Sequence, residues 1–597
     1  MTLTPRNLGD LLASTVSDHG RKRAMLFRFN GRYESYTWEE VGRKTAALAK
    51  RLVLMGLKPG DRLAILSENR PEWALTDLAA QTAGIVTVPI YPSLTSDEVA
   101  YILKDSQSRC VALSGRHQLD KLVPVRAGLQ DLRCALAFDG DLTVGAMELG
   151  LPFTSFTEAT SDLSADLPSV AVKRSHEDLA TLIYTSGTTG VPKGVMLTHG
   201  NLIENAALCR QVLRMGPEDV HLSFLPLCHI FERLAGHYLM VSIGATIAYA
   251  ENMDTVPRDL QAVRPTFVLG VPRFFEKIRG RVLDAVSQAS PFRRLMFGWA
   301  QDIGRRIRTG ERVGALARLT ADRLVFSKFR ARLGGRVRFC VSGGAPLPKE
   351  IAEFFADLGV VILEGYGLTE TSPVITVNLE REHRFGTVGR PLPGVELRLS
   401  EEVEVLTRSA CVMKGYYNKP AETADVLRDG WFHTGDLGRI DAEGYLTITG
   451  RKKELICTSG GKKISPRPIE ESIEKDPAVL RCVLYGEGKR FITALIVPDR
   501  AEVERIAHAE KLAYTDYADL LRSEHLRKLF GAMIEERTAS LAGFEKIKYF
   551  ALLEEDFSAS RGELTPTLKV KRDIVLRRYA HLLDPYYDEG PKPGQAR

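Results

Sequence analysis

Along the first hundred residues the hydrophobic positions switch repeatedly between two spacings. Residues 45–58 (TAALAKRLVLMGLK) and 71–84 (PEWALTDLAAQTAG) set apolar side chains three and four apart, the spacing of one helix face. Residues 61–69 (DRLAILSEN) and 85–92 (IVTVPIYP) carry short apolar runs of strand length. Helix and strand patterns in alternation predict an α/β architecture with largely parallel sheets. A Gly- and charge-rich stretch at 448–454 interrupts the pattern, and the chain beyond it has strands of its own, such as 490–499 (RFITALIVPD). This predicts a large domain over 1–450, a smaller one over 451–585 and a flexible tail over 586–597.

Composition narrows the classes. At 597 residues the chain is too long for one ordinary core, and its 44% hydrophobic and 26% charged residues are those of a globular protein. Basic residues number 81 against 75 acidic, and a net charge of +6 gives no sign of a nucleic-acid partner. The eight cysteines are scattered without a CxxC pair, which argues against a zinc site or a disulfide scaffold and suits a reducing cytosol. The first residues lack a basic-then-apolar leader, and no run of about 18 apolar residues is present. A cytoplasmic protein is the expectation.

The strongest local signal is 182–194 (LIYTSGTTGVPKG). An apolar strand end runs into Thr185, Ser186, Gly187, Thr188, Thr189 and Gly190, then Lys193. Small residues leave backbone N–H groups free, hydroxyls donate to phosphate oxygens and a lysine neutralises charge, so phosphate cradling is the natural reading. A Gly/Thr/Ser-rich turn alone is more often just a flexible loop. The spacing differs from GxxxxGK[ST].

The whole string resembles the signature loop of the adenylate-forming superfamily, which includes acyl-CoA synthetases, luciferases and the adenylation domains of peptide synthetases. The resemblance continues in order through nearly the entire chain. It implies a large N-terminal domain of α/β subdomains with mostly parallel sheets and a β-barrel-like subdomain, followed by a small, mobile α+β C-terminal domain. Residues 225–233 (LPLCHIFER) resemble a core motif in which His229 and Phe231 border the acyl pocket. Residues 342–347 (SGGAPL) resemble the segment facing adenine, with Gly343, Gly344 and Ala345. Residues 364–371 (EGYGLTET) match the group's most diagnostic motif. By that resemblance Glu364, Gly365 and Gly367 belong to the nucleotide site, Tyr366 packs on adenine, Thr369 meets the α-phosphate, and Glu370 with Thr185 holds Mg²⁺. A carboxylate beside a triphosphate needs a metal to reverse the sign of the interaction.

Residues 431–436 (WFHTGD) resemble the motif whose aspartate, here Asp436, accepts from both ribose hydroxyls, and Arg451 is expected to reach the ribose as well. Residues 564–572 (LTPTLKVKR) resemble the C-terminal catalytic motif and make Lys569 the adenylation lysine, with Lys571 the neighbouring alternative. Many members have glycine before this lysine where Leu568 stands, and the form found here is associated with long-chain acyl-CoA synthetases. The family rotates its C-terminal domain between half-reactions, which implies a pivot at Lys453 and a coenzyme A approach lined by Gly460, Gly461 and Lys462. ATP, Mg²⁺ and coenzyme A are the implied cofactors and co-substrates.

Two features point to long acyl chains. Residues 265–277 (PTFVLGVPRFFEK), with Gly270 and Val271 in the acyl pocket, resemble the long-chain subgroup. Residues 291–335 interleave arginines with large apolar residues; such basic amphipathic helices lie on anionic lipid, at the inner face of a membrane, or pack as ordinary surface helices, and both readings stand. A homodimer is compatible with the sequence. Residues 399–409 depart from the family, looking trimmed where relatives carry a glycine turn, which implies altered loop geometry with catalysis retained. The rival functions are loading of acyl adenylates onto a carrier-protein phosphopantetheine, and a catalytically silent relative. Glu370, Asp436 and Lys569, all present, oppose silence.

Overall fold

The computed structural model describes residues 5–140, 148–185, 191–565 and 569–588. The chain divides into two compact units, one of 1–398, 406–434 and 440–447, the other of 399–405, 435–439 and 448–597.

The first unit contains two large sheets. One has eight strands in the order Gly415–Tyr416, Lys193–Thr198, Leu179–Thr185, Val86–Ile90, Arg62–Leu66, Cys110–Leu113, Cys134–Ala137 and Phe153–Ser155. From Leu179–Thr185 onward its neighbours are parallel, and the first three strands run antiparallel to one another. The other sheet has nine strands, with Val220–Ser223, Phe267–Gly270, Phe339–Ser342 and Val361–Gly367 forming its parallel centre. The expected α/β class with mostly parallel sheets is what the chain adopts.

Alternation explains why the short apolar runs become central strands. In Arg62–Leu66, Leu63 and Ile65 enter one hydrophobic core while Ala64 and Leu66 enter another. In Cys110–Leu113 the odd and even positions divide in the same way. A strand buried on both faces needs continuous apolar sequence, which is what 61–69 and 85–92 supply. The helical patterns form Trp38–Leu54 and Pro71–Thr82, which bury Trp38 and Trp73 completely. Helix Trp38–Leu54 starts at a capping box in which the Thr37 hydroxyl accepts from the Glu40 N–H and the Glu40 carboxylate accepts from the Thr37 N–H.

The second unit has its own core around a three-stranded sheet of Val479–Tyr485, Ile492–Pro498 and Ile547–Leu552. Helices Pro466–Glu474 and Glu524–Arg537 contribute Ile469, Ile473, Leu526 and Phe530 to it. A further sheet of five strands is formed between residues 396 and 451 of the chain.

The trimmed segment is a tight turn. The Ser400 N–H donates to the Glu404 carbonyl at 2.9 Å and the Val403 N–H to the Ser400 carbonyl at 3.0 Å. Val403 takes the left-handed conformation that glycine takes freely, with φ +57. A β-branched residue is strained there. Because Val403 is exposed, little packing opposes relief of that strain. Val403→Gly should raise stability by about 1 kcal/mol, strain relief exceeding the entropy cost of glycine. Urea unfolding checks this; a destabilised variant would show the turn to be unstrained.

Candidate active site

Strands Leu179–Thr185 and Lys193–Thr198 form a hairpin in which Tyr184 pairs with Gly194 and Thr185 with Lys193. Ser186, Gly187, Thr188, Thr189 and Gly190 lie outside the described residues. The hairpin end is fixed by two tyrosines. The Tyr184 hydroxyl donates to Asp105 at 2.6 Å and the Tyr101 hydroxyl to the Pro192 carbonyl at 3.0 Å. A Cβ on Gly194 would lie 3.1 Å from the Tyr184 ring, so glycine at this position lets the ring lie across the strand.

The residue that joins the hairpin to the 364–371 segment is Tyr416. Strand Gly415–Tyr416 pairs with Lys193–Thr198, and the Tyr417 N–H donates to the Gly194 carbonyl at 2.8 Å. The Lys193 ammonium lies 5.1 Å from the Tyr416 ring centroid. On the same ring, the hydroxyl donates to Glu370 Oε1 at 2.8 Å. Burial, then the Glu370 charge and hydrogen bond, push the Tyr416 phenol far above its usual range, so it remains a donor. The Glu370 carbonyl also accepts from the Met413 N–H at 2.7 Å. Thus Lys193 and Glu370, expected at one site from separate motifs, meet on two sides of one ring.

Helix His199–Val212 holds the loops around this joint. It begins with a capping box between Thr198 and Asn201. The Asn201 amide donates to the Ala410 and Val412 carbonyls at 2.7 and 3.1 Å. One turn later, fully buried Asn205 donates to the Val374 carbonyl at 2.8 Å and accepts from its N–H at 3.2 Å. Between them, Ser372 adopts φ +73 and Gly367 passes so close to Pro373 that a Cβ would sit 1.7 Å from its carbonyl oxygen. Only glycine allows that approach.

The other expected residues gather at the carboxyl ends of the parallel strands, where ligands of α/β sheets bind. Gly270 pairs with Ser342, and Ser342 with Glu364. A Cβ on Gly343 would lie 3.1 Å from the Phe231 ring, and one on Gly344, at φ +80, 4.0 Å from Val271. His229 is half-buried, and its Nδ1 accepts from the Phe231 N–H at 3.3 Å. Ala345 is exposed and Glu364 buried, while Gly365, Tyr366, Gly367, Thr369 and Glu370 are half-exposed. Phe231, Val271, Gly270, Gly343 and Gly344 therefore form one neighbourhood, and Thr369–Thr371 lies against strand Lys193–Thr198.

The second unit holds its own cluster. Buried Asp436 accepts from Arg451 Nε at 2.8 Å. Lys569 is bonded to Thr565: the Thr565 N–H donates to the Lys569 carbonyl at 2.8 Å and the Lys569 N–H donates to the Thr565 hydroxyl at 3.0 Å. Desolvation, then Arg451, hold the Lys569 ammonium down to about 8, against opposing attraction from Asp436 and Glu454. Solvent at this exposed residue screens part of the repulsion, and the direction remains downward. Leu568 lies outside the described residues. Lys453 is exposed beside Lys452, which pairs with Glu402 at 2.7 Å and Glu404 at 3.2 Å. Gly460, Gly461 and Lys462 form an exposed turn closed by Thr458 N–H to the Lys462 carbonyl at 3.0 Å, with Gly461 at φ +74. The Lys462 ammonium lies 5.5 Å from the Phe544 ring centroid.

Sequence reasoning missed Tyr416, Asn201 and Asn205. The signals were present in Gly-Tyr-Tyr at 415–417, with Gly415 at φ +144, and in the Thr-x-x-Asn helix start. Among the described residues no group of three or more His, Cys, Asp or Glu could hold a metal ion, no helix is long and apolar enough to cross a membrane, and the eight cysteines are unpaired.

A lysine-bearing hairpin beside a carboxylate, at the carboxyl ends of parallel strands, is an arrangement suited to a nucleotide. Residues 12–417 match the AMP-binding enzyme family, and residues 453–590 match the C-terminal domain of AMP-binding enzymes. The chain belongs to the AMP-binding enzyme family. It is 34% identical to a long-chain-fatty-acid–CoA ligase of Mycobacterium bovis, over 96% of this chain and 98% of that protein. It is 32% identical to fatty acyl-CoA synthetase A of Dictyostelium discoideum, over 94% and 86% of the respective chains. The adenylation domain of a carboxylate reductase from Mycobacterium chelonae shares the fold, with TM-score 0.76 and 22% identity over 98% of this chain and 91% of that one.

Asn205→Ala would leave the Val374 carbonyl and N–H without their partner. We expect a loss of about 2–4 kcal/mol, one desolvation penalty for each group. Urea unfolding measures this; a loss below about 0.5 kcal/mol would mean the two groups find other partners.

Proposed function

We propose that this protein activates a long-chain fatty acid with ATP and transfers it to coenzyme A. A carboxylate oxygen attacks the α-phosphorus, the bond to the bridging oxygen of pyrophosphate breaks, and acyl-AMP forms. The sulfur of coenzyme A then attacks the acyl carbon, the carbon–oxygen bond to AMP breaks, and the thiol proton passes to solvent. The protein supplies no covalent nucleophile; its work is positioning and charge stabilisation.

The observation that carries this reading is the Lys193–Tyr416–Glu370 joint, because it sets a cation and a carboxylate beside the hairpin end that the signature loop continues. Mg²⁺ fits the donors present: one carboxylate, Glu370, and one hydroxyl, Thr185, with substrate phosphates completing the shell, as is usual for this ion. Held by Glu370 and Thr185, the ion would supply positive charge against the phosphates. Thr185 through Gly190 and Lys193 would cradle them, Thr369 would meet the α-phosphate, and Gly343, Gly344, Ala345 and Tyr366 would enclose adenine. His229, Phe231, Gly270 and Val271 would border the acyl chain.

In the second unit, Asp436 and Arg451 would hold the ribose, their mutual ion pair setting the carboxylate for the diol. Lys569 would stabilise the charge that develops during adenylation, Lys453 would serve as the pivot between half-reactions, and the turn at Gly460, Gly461 and Lys462 would line the approach of coenzyme A. The enzyme would work in the cytoplasm with peripheral contact to a membrane surface, and a homodimer is compatible with this.

Tyr416→Phe removes a hydrogen bond to a charged group, a loss of about 1.5–3 kcal/mol. We expect adenylation, followed by pyrophosphate release, to slow by about ten- to a hundredfold, with a higher Mg²⁺ requirement. A wild-type rate and Mg²⁺ dependence would show that Glu370 needs no such support.

Lys569→Ala should abolish pyrophosphate release from ATP and palmitate. The lysine also sets a pH limit. Its ammonium is held below the usual lysine range, so charge is present at low pH and is lost as pH rises through the lowered value. The wild-type adenylation rate should therefore fall on the alkaline side, and Lys569→Arg, which keeps its charge, should carry its residual rate to higher pH. An alkaline limb identical in the two proteins would assign that limb to another group. If adenylate forms while coenzyme A is not consumed, a carrier-protein acceptor replaces coenzyme A in the reading.

A further inference from the structure

We propose that the outer face of the helical segment 291–332 docks on an anionic lipid bilayer. This deepens the reading above, on whose peripheral membrane contact it rests, by naming the surface, its anchoring side chains and the lipid charge.

Helix Pro291–Arg308 already has a complete attachment to the protein body through its inner face. Ala300, Ile303 and Gly304 are buried there. A Cβ on Gly304 would lie 1.8 Å from the Asp357 carbonyl oxygen, so the helix backbone rests directly on the end of helix Lys349–Asp357. Arg308 then bonds Asp357 at 2.7 Å and Glu353 at 2.9 Å. This packing uses the later turns of the helix and leaves residues 291–295 exposed, so it calls for no apolar side chains there.

They are nevertheless there. Phe292 is 70% exposed and Leu295 71%, while on helix Ala315–Ala321 Leu316 is 78% exposed and Leu319 65%. Each pair is spaced three apart, so its two members share a helix face. Single exposed leucines need no explanation, whereas two such pairs on neighbouring helices do.

Charge selects the occupant. Residues 291–335 contain eleven basic and three acidic residues, a local net charge of +8 in a chain whose total is +6. The three acids are engaged locally, Asp302 with Arg305, Glu311 with Arg306 and Asp322 with Arg330. Arg293, Arg294, Arg312, Arg318, Arg323 and Lys328 have no acidic partner among the described residues. Phe292 and Leu295 flank Arg293 and Arg294 in sequence, and Arg318 lies between Leu316 and Leu319. A bilayer accepts both kinds of group at one depth, the apolar tips at the acyl boundary and the guanidinium groups among anionic head groups. The helices are too polar to cross it, so the segment lies on the surface.

The test is sedimentation of the full-length protein, without ATP, with vesicles of phosphatidylcholine alone or mixed with phosphatidylglycerol, at low and high salt. We expect binding to the mixed vesicles at low salt, loss of binding at high salt, and none to phosphatidylcholine. Phe292→Glu with Leu295→Glu, and separately Leu316→Glu with Leu319→Glu, should each weaken binding by at least about tenfold. Turnover of a short, water-soluble acid should be unchanged in both variants. Absence of binding to mixed vesicles, or equal binding by the variants, would overturn the proposal. A self-associating wild type whose variants are monomeric, with no vesicle binding, would make this face a contact between copies and overturn it equally. Vesicle binding does not depend on turnover, so a failure of the ligase reading would appear in pyrophosphate release alone.

Discussion

The candidate site depends on the two contacts made by the Tyr416 ring. A buried phenol donates to Glu370 and presents its face to Lys193. The ring holds both charges near the hairpin end. Much of the surrounding structure keeps this ring in place. The Tyr416 N–H donates to the Thr423 hydroxyl at 2.9 Å, its strand pairs with the hairpin, and Asn201 and Asn205 hold the loops on either side.

The first unit builds that arrangement from rigid parts. Three parallel strands bring Gly270, Ser342 and Glu364 into register at their carboxyl ends. Glycines at 343, 344 and 367 let the backbone and the Phe231 ring approach where a side chain would collide or a left-handed turn is needed. The second unit concentrates charge instead, with an aspartate, an arginine and a lysine whose ammonium is held below its usual range. In the proposed chemistry, the first unit supplies shape and the second a cation.

The fold class was legible because the two hydrophobic spacings survive in the structure: 45–54 and 71–82 lie in helices, and 61–69 and 85–92 supply strands buried on both faces. The glycines of the site were legible as motif members, although the collisions they avoid, such as that of Gly367 with Pro373, are visible only in space. Tyr416 was not legible, since a tyrosine in a two-residue strand has no periodicity, and its partners stand 46 and 223 residues away in the chain. Asn205 was hidden for a similar reason: on a helix it reads as a surface amide, and only burial reveals it as a clamp. In 291–335 the pattern alone fitted either packing or lipid contact, and the exposure of Phe292, Leu295, Leu316 and Leu319 is visible only in the structure.

In the proposed reaction a carboxylate is activated by attack on the α-phosphorus of ATP. The most direct measurement follows oxygen. Palmitate labelled with ¹⁸O in both carboxylate oxygens is incubated with the enzyme, ATP, Mg²⁺ and coenzyme A, and the nucleotide product is examined by mass spectrometry. Through an acyl adenylate, one labelled oxygen must leave with the phosphate of AMP while the other stays in the thioester. Labelled AMP together with unlabelled pyrophosphate is the expected result. Label in inorganic phosphate with ADP as the nucleotide product, or AMP without label, would contradict it.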